Sequence, residues 1–137
     1  MSSAPRGIDH VALNVPDVPA ALAFYTDVLG LTRRDDRPDF GIAGAWLNAG
    51  DQQVHLIELP PPSSMGQHFA LLYEDIGEVV ERIRARGITV SDPAASSPAR
   101  KQAFLNDPWG NAIELHQHRS TRASEPSQLA APRRRAG

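Results

Sequence analysis

His10-Val-Ala-Leu-Asn-Val-Pro-Asp17 returns 58 residues later as His68-Phe-Ala-Leu-Leu-Tyr-Glu-Asp75. Ala45-Trp-Leu-Asn48 returns as Ala103-Phe-Leu-Asn106 at the same offset. With one residue of slippage, Gly30 matches Gly87 and His55 falls opposite Glu114. The repeat therefore sets His10 against His68 and His55 against Glu114. All four are metal-ligand types. A duplicated unit that keeps such a residue at both equivalent places implies two halves about a pseudo-twofold axis, with one metal between them.

The first copy reads as an alternating strand. His10, Ala12 and Asn14 share one face, and Val11, Leu13 and Val15 the other. Pro16 closes it, Asp17 can cap a helix with proline in its first turn, and Gly30 is the expected stop. Three strand-like stretches follow near 31–36, 42–48 and 52–59. The run Pro60-Pro-Pro-Ser-Ser-Met-Gly66 cannot join a ladder and reads as a linker. The second copy repeats the order. It has a strand at 67–73, a capping-box signal in Asp75 and Glu78, and a helix ending at Gly87. Strands near 88–91, 100–106 and 111–118 complete it, with 92–99 as a Pro/Ser/Ala loop. The expected fold is α+β, two strand-helix-three-strand units at about 8–59 and 67–118. Helices 17–29 and 75–86 lie against one face of curved sheets.

The chain of 137 residues, 41% hydrophobic and 22% charged, permits one domain, expected at 1–118. With no cysteine, a metal must be held by His and carboxylate. No apolar run is long enough for a membrane span, and the first residues lack the apolar stretch of a signal peptide, so a cytoplasmic location is expected. The net charge of −2 is uneven. Residues 119–137 carry five Arg and one Glu, a net of +4, leaving −6 on residues 1–118. The tail reads as a disordered basic terminus, and the acidic body argues against a nucleic-acid partner.

Alternation places all four candidates on the face away from the apolar set. Val54 and Leu56 flank His55, Phe69 and Leu71 oppose His68, and Ile113 and Leu115 flank Glu114. Glu58 falls on the opposite face from His55. His116 shares the Glu114 face, while His118 is expected at the surface. Four inward ligands would leave an open position on a five- or six-coordinate ion, which a catalytic metal needs for substrate or water. Three imidazoles and a carboxylate suit Zn, Ni, Co, Fe or Mn better than Ca or Mg. Candidate substrate contacts are Asn14, Trp46, Phe104, Arg100 and His116. Lys101 stands beside Arg100, and Trp109 is a further aromatic able to line an apolar wall.

Ile8-Asp-His-Val-Ala-Leu-Asn-Val15, Phe24-Tyr-Thr-Asp-Val-Leu-Gly-Leu31 and Asn106-Asp-Pro-Trp-Gly-Asn-Ala-Ile-Glu-Leu115 resemble the vicinal oxygen chelate superfamily. That superfamily includes glyoxalase I, methylmalonyl-CoA epimerase, extradiol dioxygenases, fosfomycin-resistance transferases and bleomycin-resistance proteins. The resemblance covers about 7–118 and implies paired βαβββ modules cupped around a divalent metal. His10, His68 and Glu114 match ligand positions. His55 takes a place that is commonly Glu or Gln in the glyoxalase and epimerase branches. The resemblance implies a small-molecule substrate chelated through its oxygens, with an enolate or oxyanion stabilised. A lyase or isomerase is expected, with Glu114 as ligand and general base. An extradiol-type dioxygenase and a metal-free drug-binding protein are the alternatives. The family builds its cup within one chain or across a twofold dimer. The stiff linker 60–66 favours a homodimer with exchanged modules, His10 and His55 from one chain and His68 and Glu114 from the other.

Overall fold

A computed structural model describes residues 3–118; the expected basic tail, 119–137, lies outside the described residues. The first half runs β1 (His10–Val15), α1 (Val18–Ala23), a π-helical turn (Phe24–Val28), β2 (Thr32–Arg33), β3 (Gly44–Ala49) and β4 (Gln52–Glu58). The second runs β5 (His68–Leu72), α2 (Ile76–Ala85), β6 (Ala94–Ser97), β7 (Arg100–Asn106) and β8 (Ala112–His118). The strands form two four-stranded sheets of identical topology, β1-β4-β3-β2 and β5-β8-β7-β6. In each, the first strand pairs parallel to the last and the remaining pairs are antiparallel.

Both helices start as the capping signals imply. Asp17 Oδ1 accepts from the Ala20 N–H at 3.2 Å, and Asp75 Oδ1 from the Glu78 N–H at 3.3 Å. Each carboxylate satisfies a donor the first turn would leave unpaired. One face of each sheet is covered. Val15, Leu47, Val54 and Leu56 from the first and Ala103, Ile113 and Leu115 from the second are fully or nearly fully buried. They join Ala21, Tyr25, Leu29, Ile76, Val80 and Ile83 of the helical segments in one continuous core. The opposite, open faces carry the candidate ligands.

Three details differ from the sequence reading. The strand expected at 88–91 is instead at Ala94–Ser97, inside the expected loop. Val90 is buried and Ile88 partly so, which produced the strand-like apolar signal, yet they pack as an irregular segment. The exposed Ala94–Ser97 pairs as an edge with β7, where small residues leave no apolar alternation to read. The stretch expected at 31–36 is a two-residue strand. The helix expected at 17–29 is α-helical only to Ala23 and then opens into the π turn, where the Leu29 N–H reaches the Phe24 carbonyl.

The halves are joined through buried and half-buried polar contacts. Asp107 is the buried charged residue among the described residues, and its Oδ2 accepts from the Tyr25 hydroxyl at 2.8 Å. Burial, then the adjacent Asp107, pushes the Tyr25 phenol far above its ordinary range. Asn111 Nδ2 donates to the Asn14 carbonyl at 3.1 Å, and the Arg82 guanidinium donates to the Val28 carbonyl. The Asp-Pro-Trp-Gly-Asn segment is thus a self-capped turn. Asp107 Oδ1 takes the N–H groups of Trp109 and Asn111. Its Oδ2 takes the Asn111 amide as well as Tyr25.

Candidate functional site

Strand register turns the sequence repeat into geometry. In the first sheet, Ala12, His55 and Trp46 stand in one cross-strand row, and His10, Gln53 and Asn48 in the next. In the second sheet the corresponding rows are Ala70, Glu114 and Phe104, then His68, Ala112 and Asn106. Each open face therefore holds one candidate ligand on its first strand and one on its last, on neighbouring rows.

In the first half the ligand-type residues are stacked. The rings of His10 and His55 lie 3.9 Å apart at 14°, and Trp46 stacks on His55 at 4.5 Å and 13°. His10 Nδ1 is 2.9 Å from Asp9 Oδ2, and His55 Nε2 is 2.8 Å from Gln53 Oε1. Burial first, then His10, Arg37 and Arg34, hold the His55 imidazole below its ordinary pKa against the opposing pull of Asp9. The site thus favours the neutral ring that a metal ligand requires.

In the second half they are hydrogen-bonded. His68 Nδ1 lies 2.9 Å from the Gly66 carbonyl, and its Nε2 lies 3.1 Å from Glu114 Oε1. Both partners accept, an arrangement that favours the doubly protonated ring while no metal is bound. The Gly66 carbonyl first, and then Glu114, raise the His68 pKa against partial burial. Glu114 Oε2 is 2.7 Å from His116 Nδ1, and His116 Nε2 is 3.1 Å from Arg100 Nη1. Arginine can only donate, so His116 accepts at Nε2 and donates from Nδ1 to Glu114. The result is a chain from Arg100 through His116 and Glu114 to His68.

The structure brings His10 together with His55, and His68 together with Glu114. It does not bring the four together. Among the described residues no group of three or more His, Asp or Glu side chains is placed to hold a metal ion. The donor chemistry suits a transition metal, but one chain supplies it as two separate pairs and by itself does not fit the ion. Of the other candidates, Trp46 and Phe104 flank the two pairs, Phe104 meeting the His68 ring edge-on at 5.7 Å. Arg100 and His116 belong to the second half's hydrogen-bond chain. Asn14 is occupied structurally, its amide donating to the Pro60 carbonyl at 3.2 Å. Lys101 is half-buried on β7, and Trp109 packs against the core. His118 is exposed as expected, its pKa lowered by partial burial and by Arg100 and His116.

The sequence reading passed over Gln53, Arg34 and Arg37. Gln53 is two residues from His55 on the same strand face, so alternation alone finds it. Arg34 donates its backbone N–H to the Trp46 carbonyl and its Nη1 to Asn48 Oδ1. Arg37 comes from the irregular loop after β2, and only Gly44 hints at it. A Cβ at Gly44 would lie 2.6 Å from Arg37 Nη2.

Residues 7–115 match the family model of the Glyoxalase/Bleomycin resistance protein/Dioxygenase superfamily. The chain is 34% identical to the lactoylglutathione lyase of Salmonella typhimurium over 77% of this chain and 88% of that protein. It is 31% identical to a probable chloroplastic lactoylglutathione lyase of Arabidopsis thaliana, and 33% identical to metapyrocatechase 2 of Cupriavidus necator. Each of those two matches covers 80% of this chain, which spans 35% and 36% of the respective relatives. Among solved structures, a glyoxalase family protein from Bacillus anthracis superposes with a TM-score of 0.77 at 25% identity, over 86% of this chain and 99% of that one. TnmS3, an antibiotic binding protein from Streptomyces, superposes at 0.68 with 28% identity over 85% and 99%.

Proposed function

We propose that this chain, which belongs to the Glyoxalase/Bleomycin resistance protein/Dioxygenase superfamily, is a divalent-metal-dependent lyase or isomerase of glyoxalase type acting on a small oxygenated metabolite. The observation that carries the reading is the pair of half-sites at equivalent register positions, two imidazoles in one and an imidazole with a carboxylate in the other. Neither pair suffices alone. We infer that two copies of the chain form an exchanged homodimer, in which His10 and His55 of one copy face His68 and Glu114 of the other. The ion expected there is one of Zn, Ni, Co, Fe or Mn, and it would supply Lewis acidity to substrate oxygens.

Within that arrangement Glu114 is the residue able to take a proton from substrate. His116 holds Oε2, so the carboxylate presents a fixed oxygen, Oε1, on the side of His68. His55, held toward its neutral form, is a donor to the ion rather than a base. Relatives named lactoylglutathione lyase favour this reading. The relative named metapyrocatechase favours a second one, ring-cleaving dioxygenase chemistry, for which two His and one carboxylate suffice on iron. The antibiotic binding neighbour favours a third, a metal-free binding protein.

Elemental analysis and metal titration of the purified chain, with His10→Ala and Glu114→Ala alongside, test the metal. Wild type is expected to bind one ion per cup and each variant to bind at least about tenfold more weakly. Wild type without metal affinity, or variants binding as well as wild type, would refute the site. Turnover of lactoylglutathione against oxygen uptake on catechols, after anaerobic loading with Fe(II), separates the two enzymatic readings. Stoichiometric antibiotic binding that survives EDTA, with neither turnover, selects the third. Light scattering tests the dimer. Co-refolding His10→Ala with Glu114→Ala tests the exchange, since the heterodimer then regains one intact cup.

A further inference from the structure

We propose that the open face of the first module carries a subsite for an organic carboxylate with an apolar body, recognised by Arg37 and seated on Phe40 and Trp46. The inference rests on the enzymatic reading above and names its substrate class. The loop between β2 and β3, with the start of β3, borders a shallow cavity of about 640 Å³ open to solvent. Arg33, Arg34 and Arg37 line it, with Ile42 and Trp46.

The three guanidinium groups are not equivalent. Arg34 is consumed. It bonds both oxygens of Asp36, at 2.9 and 2.6 Å, and Asn48 Oδ1 at 2.9 Å. Arg37 is positioned but unpaired. Gly44 lets its guanidinium lie against β3, the Ile42 carbonyl takes one Nη2 hydrogen at 3.0 Å, and the Phe40 ring stacks 5.0 Å from its Cζ. Arg33 stands opposite the core residue Leu47 in the ladder, on the other face of the sheet from Trp46; among the described residues no carboxylate pairs with Arg37. A guanidinium fixed by its surroundings, with donors to spare, matches the planar two-oxygen edge of a carboxylate. Asp35 and Asp39 share the cavity wall, which disfavours a dianion and leaves a single carboxylate as the matching charge.

The apolar half of the ligand follows from what is uncovered. Phe40 is 58% exposed and Ile42 37%, a small apolar patch beside the half-buried Trp46, whose ring lies 6.1 Å from that of Phe40. Trp46 also stacks on His55. A ligand anchored at Arg37 therefore has its body directed along Trp46 toward the His10–His55 pair.

The test uses full-length, chelator-treated protein, so that a carboxylate bound to metal cannot mimic the result. Benzoate and the isosteric neutral benzamide are titrated, with backbone amides and the Trp46 indole N–H followed by NMR. Benzoate is expected to shift residues 33–46 and the Trp46 indole with about tenfold higher affinity than benzamide. Arg37→Gln is expected to erase that preference while keeping the wild-type amide spectrum of the second module. Equal affinities for the two probes in wild type, shifts that map away from Phe40 and Trp46, or an Arg37→Gln protein that keeps the preference would each overturn the proposal. The wild-type comparison stands even if the variant does not fold. A wild type that fails to bind metal but discriminates the probes rejects the enzymatic reading and leaves the subsite.

Discussion

The two halves of the molecule have the same register and opposite electrostatics. His10 and His55 occupy the same rows of their sheet as His68 and Glu114 do of theirs. Yet the first pair is a stack of aromatic rings extended by Trp46, and the second is a hydrogen-bonded chain ending at Arg100. One imidazole is pushed toward its neutral form and the other toward its charged form. The shared register sets where a side chain projects; the neighbours, different in each half, decide what it does there. Where the halves face one another in a pair of chains, the second brings the negative charge and the first the neutral donors.

The sharpest break in the likeness is the last turn of each half, and it carries the largest expected effect. β3 and β4 are joined by a tight turn at Ala49–Gly50–Asp51, whereas β7 and β8 are joined by the turn that Asp107 caps. Asp107→Ala removes the acceptor for the buried Tyr25 hydroxyl and for three N–H groups, and is expected to cost about 4 kcal/mol in urea unfolding. Gly50→Ala, at φ 62°, is expected to cost about 1 kcal/mol. Similar costs for the two would mean that Asp107 does not hold the halves together.

Titration of the metal-free protein probes the electrostatic contrast directly. The native state binds the His68 proton more tightly than the unfolded chain does. Its stabilisation is therefore complete below the ordinary histidine pKa and is lost as pH rises through the raised native value. His55 works the other way. Its contribution is full above the ordinary value and is lost as pH falls toward the lowered native one. On acidification, NMR of the ring protons should show His68 protonating before His55. Glu114→Gln should lower the His68 pKa and leave that of His55 in place. Coincident titration of the two rings would remove the contrast on which the comparison stands.

The four candidate ligands were legible because strand alternation and a repeated sequence are both one-dimensional signals. Their division into two pairs was not legible, since nothing in the order of residues says how one sheet sits relative to the other. Arg37 escaped because its position depends on a loop and on a missing side chain at Gly44, neither of which has a period. Ala94–Ser97 escaped because an exposed edge strand needs no apolar pattern. The slippage in the repeat was visible, but its two causes were structural. The offset of 59 between His55 and Glu114 comes from the extra residue in the Asp107 turn. The offset of 57 between Gly30 and Gly87 comes from the π turn.

That second cause yields the smallest expected effect. A π turn accommodates one more residue than the α turn it replaces. Asp17 and Gly30 are 13 apart, whereas Asp75 and Gly87, which bracket the regular α2, are 12 apart. The extra residue has an exposed place in the turn, Asp27, between the buried Tyr25 and Val28. Deleting Asp27 lets the turn close with the α spacing. Val28 and Leu29 then keep their face toward the core, and the first helical segment takes the length of the second. The expected cost is about 1 kcal/mol or less, because the side chain removed is at the surface. A loss several times larger in urea unfolding would show that the π turn sets the position of Tyr25 against Asp107, and that the halves differ here by requirement rather than by tolerance.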